Sequence, residues 1–136
     1  GAFYAHVGDS RLYQLENKKL RLLTKDHSYV QKLIDLKRIT EEEALVHPKK
    51  NFIERALGTE NYMPDVGQVS TPTKNQDLFL LCSDGLTNML SEEEIYAVLA
   101  AHDFDLEKKA SLLIAMANEK GGSDNITVQL IARSKV

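Results

Sequence analysis

Five consecutive apolar residues, Leu78-Phe79-Leu80-Leu81-Cys82, run directly into Ser83-Asp84-Gly85, and this junction restricts the possible folds more than any other segment. An apolar run without alternation predicts a strand covered on both faces, so layers must pack on either side of it. The abrupt polar stop then sets a carboxylate at the end of a rigid strand. With 136 residues, of which 43% are apolar and 27% charged, the chain has the size and composition to bury one such core.

Elsewhere the pattern alternates. Phe3, Ala5 and Val7 interleave with Tyr4 and His6 up to Gly8-Asp9, which predicts a half-buried strand with Phe3 inward and His6 on its polar face. Leu12 to Leu15 gives a second strand, and Glu16-Asn17-Lys18-Lys19 turns the chain back into Leu20 to Leu23, so residues 2–24 read as two or three antiparallel strands. Ser28 with Gln31 and Thr40 with Glu43 have capping-box spacing and predict two short helices, the second cut short by Pro48. Residues 28–64 therefore read as an excursion from the core. Strand character returns at Val66 to Val69. Ser91 with Glu94 caps a helix whose buried stripe is Ile95, Val98 and Leu99, and a longer helix runs from Asp105 to Gly121-Gly122. Asn125 to Ala132 closes the pattern as a strand. Blocks of strands and blocks of helices predict an α+β fold, not alternating βαβ units.

Charge and cysteine content narrow the function. Lys and Arg number 17 against 20 Asp and Glu, a net charge of −3, and no segment concentrates enough basic residues to neutralise a row of phosphates, which argues against nucleic acid. Cys82 is the only cysteine, so neither an intrachain disulfide nor a Cys-rich zinc site is available. No apolar run approaches the ~20 residues that cross a bilayer, and no charged-then-apolar leader is seen. The expectation is a soluble, cytoplasmic protein with no membrane partner.

Three aspartates occupy comparable positions. Asp9 and Asp84 each follow a strand, Asp124 precedes the last one, and glycine lies at or near each. Carboxylates delivered from strand ends can converge, and oxygen-only ligation suits Mg²⁺ or Mn²⁺. Asp, Asn, Gly and Ser are equally what turns require, so spacing alone leaves both readings open. The four histidines have no ligand spacing and are read as surface or satisfied structural groups. Lys49, Lys50 and Arg55 could meet an anionic substrate or simply form a solvated loop.

Taken in order, five segments resemble the metal-dependent protein serine/threonine phosphatases, the PPM or type 2C family, in their bacterial form. They are Ala5-His6-Val7-Gly8-Asp9-Ser10-Arg11, Leu22-Leu23-Thr24-Lys25-Asp26-His27-Ser28, Arg55-Ala56-Leu57-Gly58, Asp77 to Leu86, and Gly121-Gly122-Ser123-Asp124-Asn125-Ile126-Thr127-Val128. The resemblance implies part of a four-layer α-β-β-α sandwich with antiparallel sheets. It further implies that Asp84 and Asp124 hold the catalytic Mn²⁺ or Mg²⁺ pair and that Asp9 joins Asp84 on a third ion. Ser83 and Asn125 would orient the ligands, and 28–64 would be the flap beside the active site, giving Lys49, Lys50 and Arg55 a substrate-binding interest.

The implied reaction is hydrolysis of phosphoserine and phosphothreonine in proteins, the products of a serine/threonine kinase. The family's Asp-Gly-x-Gly-Gly-His segment and its phosphate-binding arginine are not among these residues, so 1–136 is expected to be the carboxy-terminal part of one phosphatase domain, inactive alone. Missing strands would favour a homodimer or strand exchange. The alternative expectation is a non-catalytic regulatory or binding module that keeps the fold, against which the three retained aspartates argue.

Overall fold

Residues 2–69 and 77–132 are described by a computed structural model. Their element order is β1 (Ala2–His6), β2 (Arg11–Glu16), β3 (Lys19–Leu22), α1 (Tyr29–Asp35), α2 (Glu41–Leu45), β4 (Asp65–Val69), β5 (Leu78–Cys82), α3 (Asp84–Thr87), α4 (Glu92–Ala100), α5 (Leu106–Glu119) and β6 (Val128–Ala132). The class is α+β with antiparallel pairing throughout the described strands, as the sequence implies. Two units divide the chain: Gly1–Ser10 with Lys25–Thr71, and Arg11–Thr24 with Pro72–Val136.

The second unit carries the main core. Its sheet has the order β3-β2-β5-β6, and registers of Tyr13 with Leu80, Leu80 with Leu130 and Cys82 with Val128 put these side chains on one face. That face packs with Leu86, Leu90, Ile95, Val98, Leu99, Leu113 and Ala117 of the helical segments. Tyr13, Leu80, Leu86, Ile95, Leu99 and Leu113 are all but sealed from solvent, and each aliphatic among them stabilises the fold by about 1.5–3 kcal/mol through burial. The expectation that both faces of β5 are covered holds only in part: Leu78, Leu80 and Cys82 are buried and Phe79 on the opposite face is half-buried, whereas Leu81 on that face is 37% exposed. On that opposite face Gln14 is nonetheless buried.

The capping signals become real caps. Ser91 Oγ accepts from Glu94 N–H, and Glu94 Oε2 accepts from Ser91 N–H in return. Glu94 also accepts from Lys120 Nζ at 2.7 Å, which ties the start of α4 to the end of α5. Asp105 caps α5 through Lys108 N–H, and Gly121 and Gly122, both at positive φ, close it by donating to Asn118 and Ala117 carbonyls. The β2–β3 turn is the two-residue Asn17-Lys18 loop with φ of 49° and 60°, a primed turn whose twist matches the flanking strands.

The first unit is built differently. β1 pairs with β4, not with β2, in a two-stranded sheet. The three strands read from residues 2–24 are present, and of them β2 and β3 pair with each other. Both edges of β2 are occupied, by β3 and β5, so no ladder position is left for β1. The inward face of β1 is also the reverse of that expected: His6 is 9% exposed and Phe3 71%. Tyr4 lies over Gly67, its cross-strand partner, so closely that any Cβ there would collide with the ring. The helices α1 and α2 are capped by Ser28 and by a reciprocal Thr40–Glu43 box, and 46–64 is largely irregular. Among the described residues no helix is long and apolar enough to cross a membrane.

The two faces of β5 give a direct test. Leu80→Ala is expected to cost about 2–5 kcal/mol and Leu81→Ala less than about 1 kcal/mol in urea unfolding. Equal losses would contradict the difference in burial between Leu80 and Leu81.

Candidate metal-binding site and the histidine cluster

Where β5 runs out of ladder, Ser83 takes over the pairing. Its N–H donates to Thr127 O at 3.0 Å. Its hydroxyl donates to Asn125 O at 3.2 Å and accepts from Thr127 N–H at 3.0 Å. The hydroxyl is thereby diverted from capping α3, which has Ser83 at its N-cap without a side-chain cap bond. The segment bearing Asp84 is thus clasped to the segment bearing Asp124 and Asn125. Gly85 makes the approach possible, because a Cβ there would stand 2.2 Å from Asn125 O.

Asp84 opens α3 and is half-buried, while Asp124 is exposed and accepts from Asn125 N–H at 2.7 Å. Two ionisable carboxylates on clasped segments form the right donor chemistry for a hard divalent cation. Among the described residues no three His, Cys, Asp or Glu side chains are grouped to hold a metal. Asp9 lies in the other unit.

The first unit contains a constellation that sequence reasoning missed. His27 N–H donates to Gly8 O at 2.8 Å, and Gly8 N–H donates to His27 Nδ1 at 3.2 Å. With Nδ1 accepting, Nε2 carries the hydrogen and donates to Asp65 Oδ2 at 2.8 Å. Arg55 Nη1 donates to Asp65 Oδ1 at 3.0 Å and to Met63 O at 3.2 Å. The two donors, with His27 first, hold the Asp65 carboxyl below its ordinary range. Gly8 itself has φ of +106°, a conformation that favours glycine. The available signal was the order Gly8-Asp9, Asp26-His27 and Arg55 across three separate motifs, with nothing in any one of them to show that they meet.

His6 completes the cluster and corrects the reading of all four histidines as surface or satisfied groups. Its ring lies 4.7 Å from that of His27, and among the described residues neither of its nitrogens has a hydrogen-bond partner. The face is fixed by register, since His6 pairs with Asp65, which in turn holds His27. Burial and then the neighbouring His27 lower its pKa from 6.5, against weaker opposing effects of Ser10, Asp26 and Asp65.

The basic candidates of the excursion are engaged locally. Arg55 is bound as above, Lys50 Nζ donates to Leu45 O at 3.2 Å, and Lys49 Nζ lies 5.4 Å and 5.9 Å from the ring centroids of Tyr29 and Phe52.

Comparison with known proteins identifies the family. The protein phosphatase 2C family model matches residues 1–126, and the chain belongs to that family. It is 47% identical to a serine/threonine phosphatase, stp, of Listeria welshimeri over 130 residues, 96% of this chain and 51% of the relative. The solved serine/threonine phosphatase of S. agalactiae is similar with a TM-score of 0.87 at 41% identity, covering 98% of this chain and 54% of that one. The catalytic domain of PstP, solved in complex with two manganese ions, gives a TM-score of 0.81 at 37% identity, covering 97% of this chain and 54% of that one. The chain spans about half the length of the relatives it matches.

The depressed His6 pKa fixes the sign of a pH effect. Protonation is harder in the folded state than in the unfolded one, so the contribution is full above the unfolded value of 6.5 and is lost as pH falls below it. The urea midpoint is expected to drop between about pH 7.5 and about pH 5.5, and His6→Phe to flatten that drop. An unchanged slope in the variant would contradict the account of His6.

Proposed function

We propose that residues 1–136 form the carboxy-terminal part of a phosphatase domain that hydrolyses phosphoserine and phosphothreonine in proteins. The observation that carries this reading is the Ser83 clasp, which brings the Asp84 and Asp124 segments together. Asp84 and Asp124 would each offer carboxylate oxygens to Mn²⁺ or Mg²⁺, and Asp9 would contribute to a further ion. Such ions, when bound, lower the pKa of water and offset charge on phosphoryl oxygens.

The protein's own contribution is orientation. Ser83 sets the spacing of the two backbones, and the Asn125 N–H bond fixes Asp124 Oδ1, so that the other carboxylate oxygen would serve a ligand. Residues 28–64 would correspond to the family's flap segment, and Lys49, Lys50 and Arg55 would be its basic groups for binding substrate. The substrates are phosphoproteins produced by a serine/threonine kinase, in the cytoplasm. A chain of these residues alone lacks further ligands and is inactive, with its two-stranded β1–β4 sheet open to strand exchange or dimerisation.

The test compares the 136-residue chain with the full-length protein on p-nitrophenyl phosphate and a phosphothreonine peptide in Mn²⁺. The expected result is turnover by the full-length protein only, reduced more than about 100-fold by Asp84→Ala or Asp124→Ala. Undiminished turnover in either variant, or robust turnover by the short chain, would overturn the proposal.

A further inference from the structure

We propose that His27 is a positioning residue for Asp9, held in the required tautomer by Asp65 and Arg55, so that the end of the flap-like segment controls the setting of a metal ligand. The inference rests on the reading of Asp9 as such a ligand. Its geometric basis is independent of that reading.

The Gly8 residue immediately before Asp9 is gripped by a single partner. Its carbonyl receives the His27 main-chain N–H, and its own N–H is received by His27 Nδ1. The grip works in only one tautomer, because a hydrogen on Nδ1 would oppose the Gly8 N–H donor to donor. Asp65 enforces the choice by accepting from Nε2. Asp65 is in turn fixed by Arg55, whose guanidinium is anchored on Met63 O. Arg55 Nη1 also stands 3.3 Å from His27 Nε2. Both are donors, and the shared Asp65 carboxylate makes their proximity tolerable. The main chain of His27 is held besides, its carbonyl accepting from Glu54 N–H at 2.7 Å. Residues 55, 63 and 65 therefore act on Asp9 through one imidazole, and residue 54 through the main chain of the same histidine.

A merely structural histidine would stabilise the unit without selective effect on the ligand. Two substitutions separate these roles in the full-length protein. His27→Asn keeps an acceptor near the place of Nδ1 and loses the link to Asp65. His27→Gln keeps a donor toward Asp65 and loses the acceptor for Gly8. The readouts are Mn²⁺ binding by calorimetry and amide hydrogen exchange at Gly8 and Asp9, with exchange at Leu80 in β5 as the control for global folding.

The expected result is that His27→Gln weakens Asp9-dependent Mn²⁺ binding about tenfold or more and speeds Gly8 exchange, with Leu80 unchanged. His27→Asn should retain more of both properties. Asp9→Asn combined with His27→Gln should be no weaker than Asp9→Asn alone, the non-additivity of residues acting as one unit. If His27→Gln fails to fold, Asp65→Asn is read in its place by the same two measurements. Wild-type binding and exchange in these variants, or additive losses in the double variant, would overturn the proposal. If Asp9→Asn alone leaves Mn²⁺ binding unchanged, the reading of Asp9 as a ligand falls, and the positioning role falls with it.

Discussion

A serine hydroxyl at the end of a strand organises the candidate metal site. Ser83 follows the last ladder position of β5, where Cys82 pairs with Val128, and continues the pairing with its own N–H and Oγ against Thr127 and Asn125. A neutral hydrogen bond of this kind adds only about 0.5–1.5 kcal/mol to stability. Its importance is geometric: two segments that each carry an aspartate approach closely, and at Gly85 a Cβ would collide with Asn125 O. The rigid strand supplies the precision, since β5 is anchored through Leu80 and Cys82 in the main core.

The same logic recurs at Asp9. There the neighbouring glycine is again the point of control, and a side chain again binds the backbone beside the aspartate. Serine performs the task with one hydroxyl that both donates and accepts. His27 performs it with one ring nitrogen, and so needs Asp65 and Arg55 to decide which nitrogen carries the hydrogen. In both places the glycine that follows or precedes the carboxylate is a requirement of close approach or of positive φ. This explains in physical terms why Asp9 and Asp84 each stand beside a glycine in this chain.

Much of the second unit was legible because its signals are local. The Ser91–Glu94 box, the Ile95-Val98-Leu99 stripe and the Gly121-Gly122 stop each lie within one helix turn or one helix length, and each is realised. The boundaries of β5 were equally plain, since an apolar run flanked by polar residues has few alternatives. The short α3 was not seen, because four residues after a Ser-Asp-Gly stop show no periodicity. The face of β1 was reversed for a related reason. Alternation in Phe3, Ala5 and Val7 identifies a strand but not which side the neighbours occupy, and the deciding contacts of His6 come from His27 and Asp65, far along the chain. The Asp84 and Asp124 candidates were found from their places at strand ends and then from motif order, whereas the approach of their segments depends on Ser83, a residue whose hydroxyl had an equally ordinary use as a helix cap.

The central claim is that the Ser83 clasp presents Asp84 and Asp124 to one cation site. Crystals of the full-length protein grown in Mn²⁺ and measured at the manganese absorption edge test it most directly. The account predicts anomalous density within ligand distance of carboxylate oxygens from both Asp84 and Asp124, with the Ser83 bonds to Asn125 and Thr127 intact. Manganese bound away from either carboxylate, or bound to both with the Ser83 bonds broken, would contradict it.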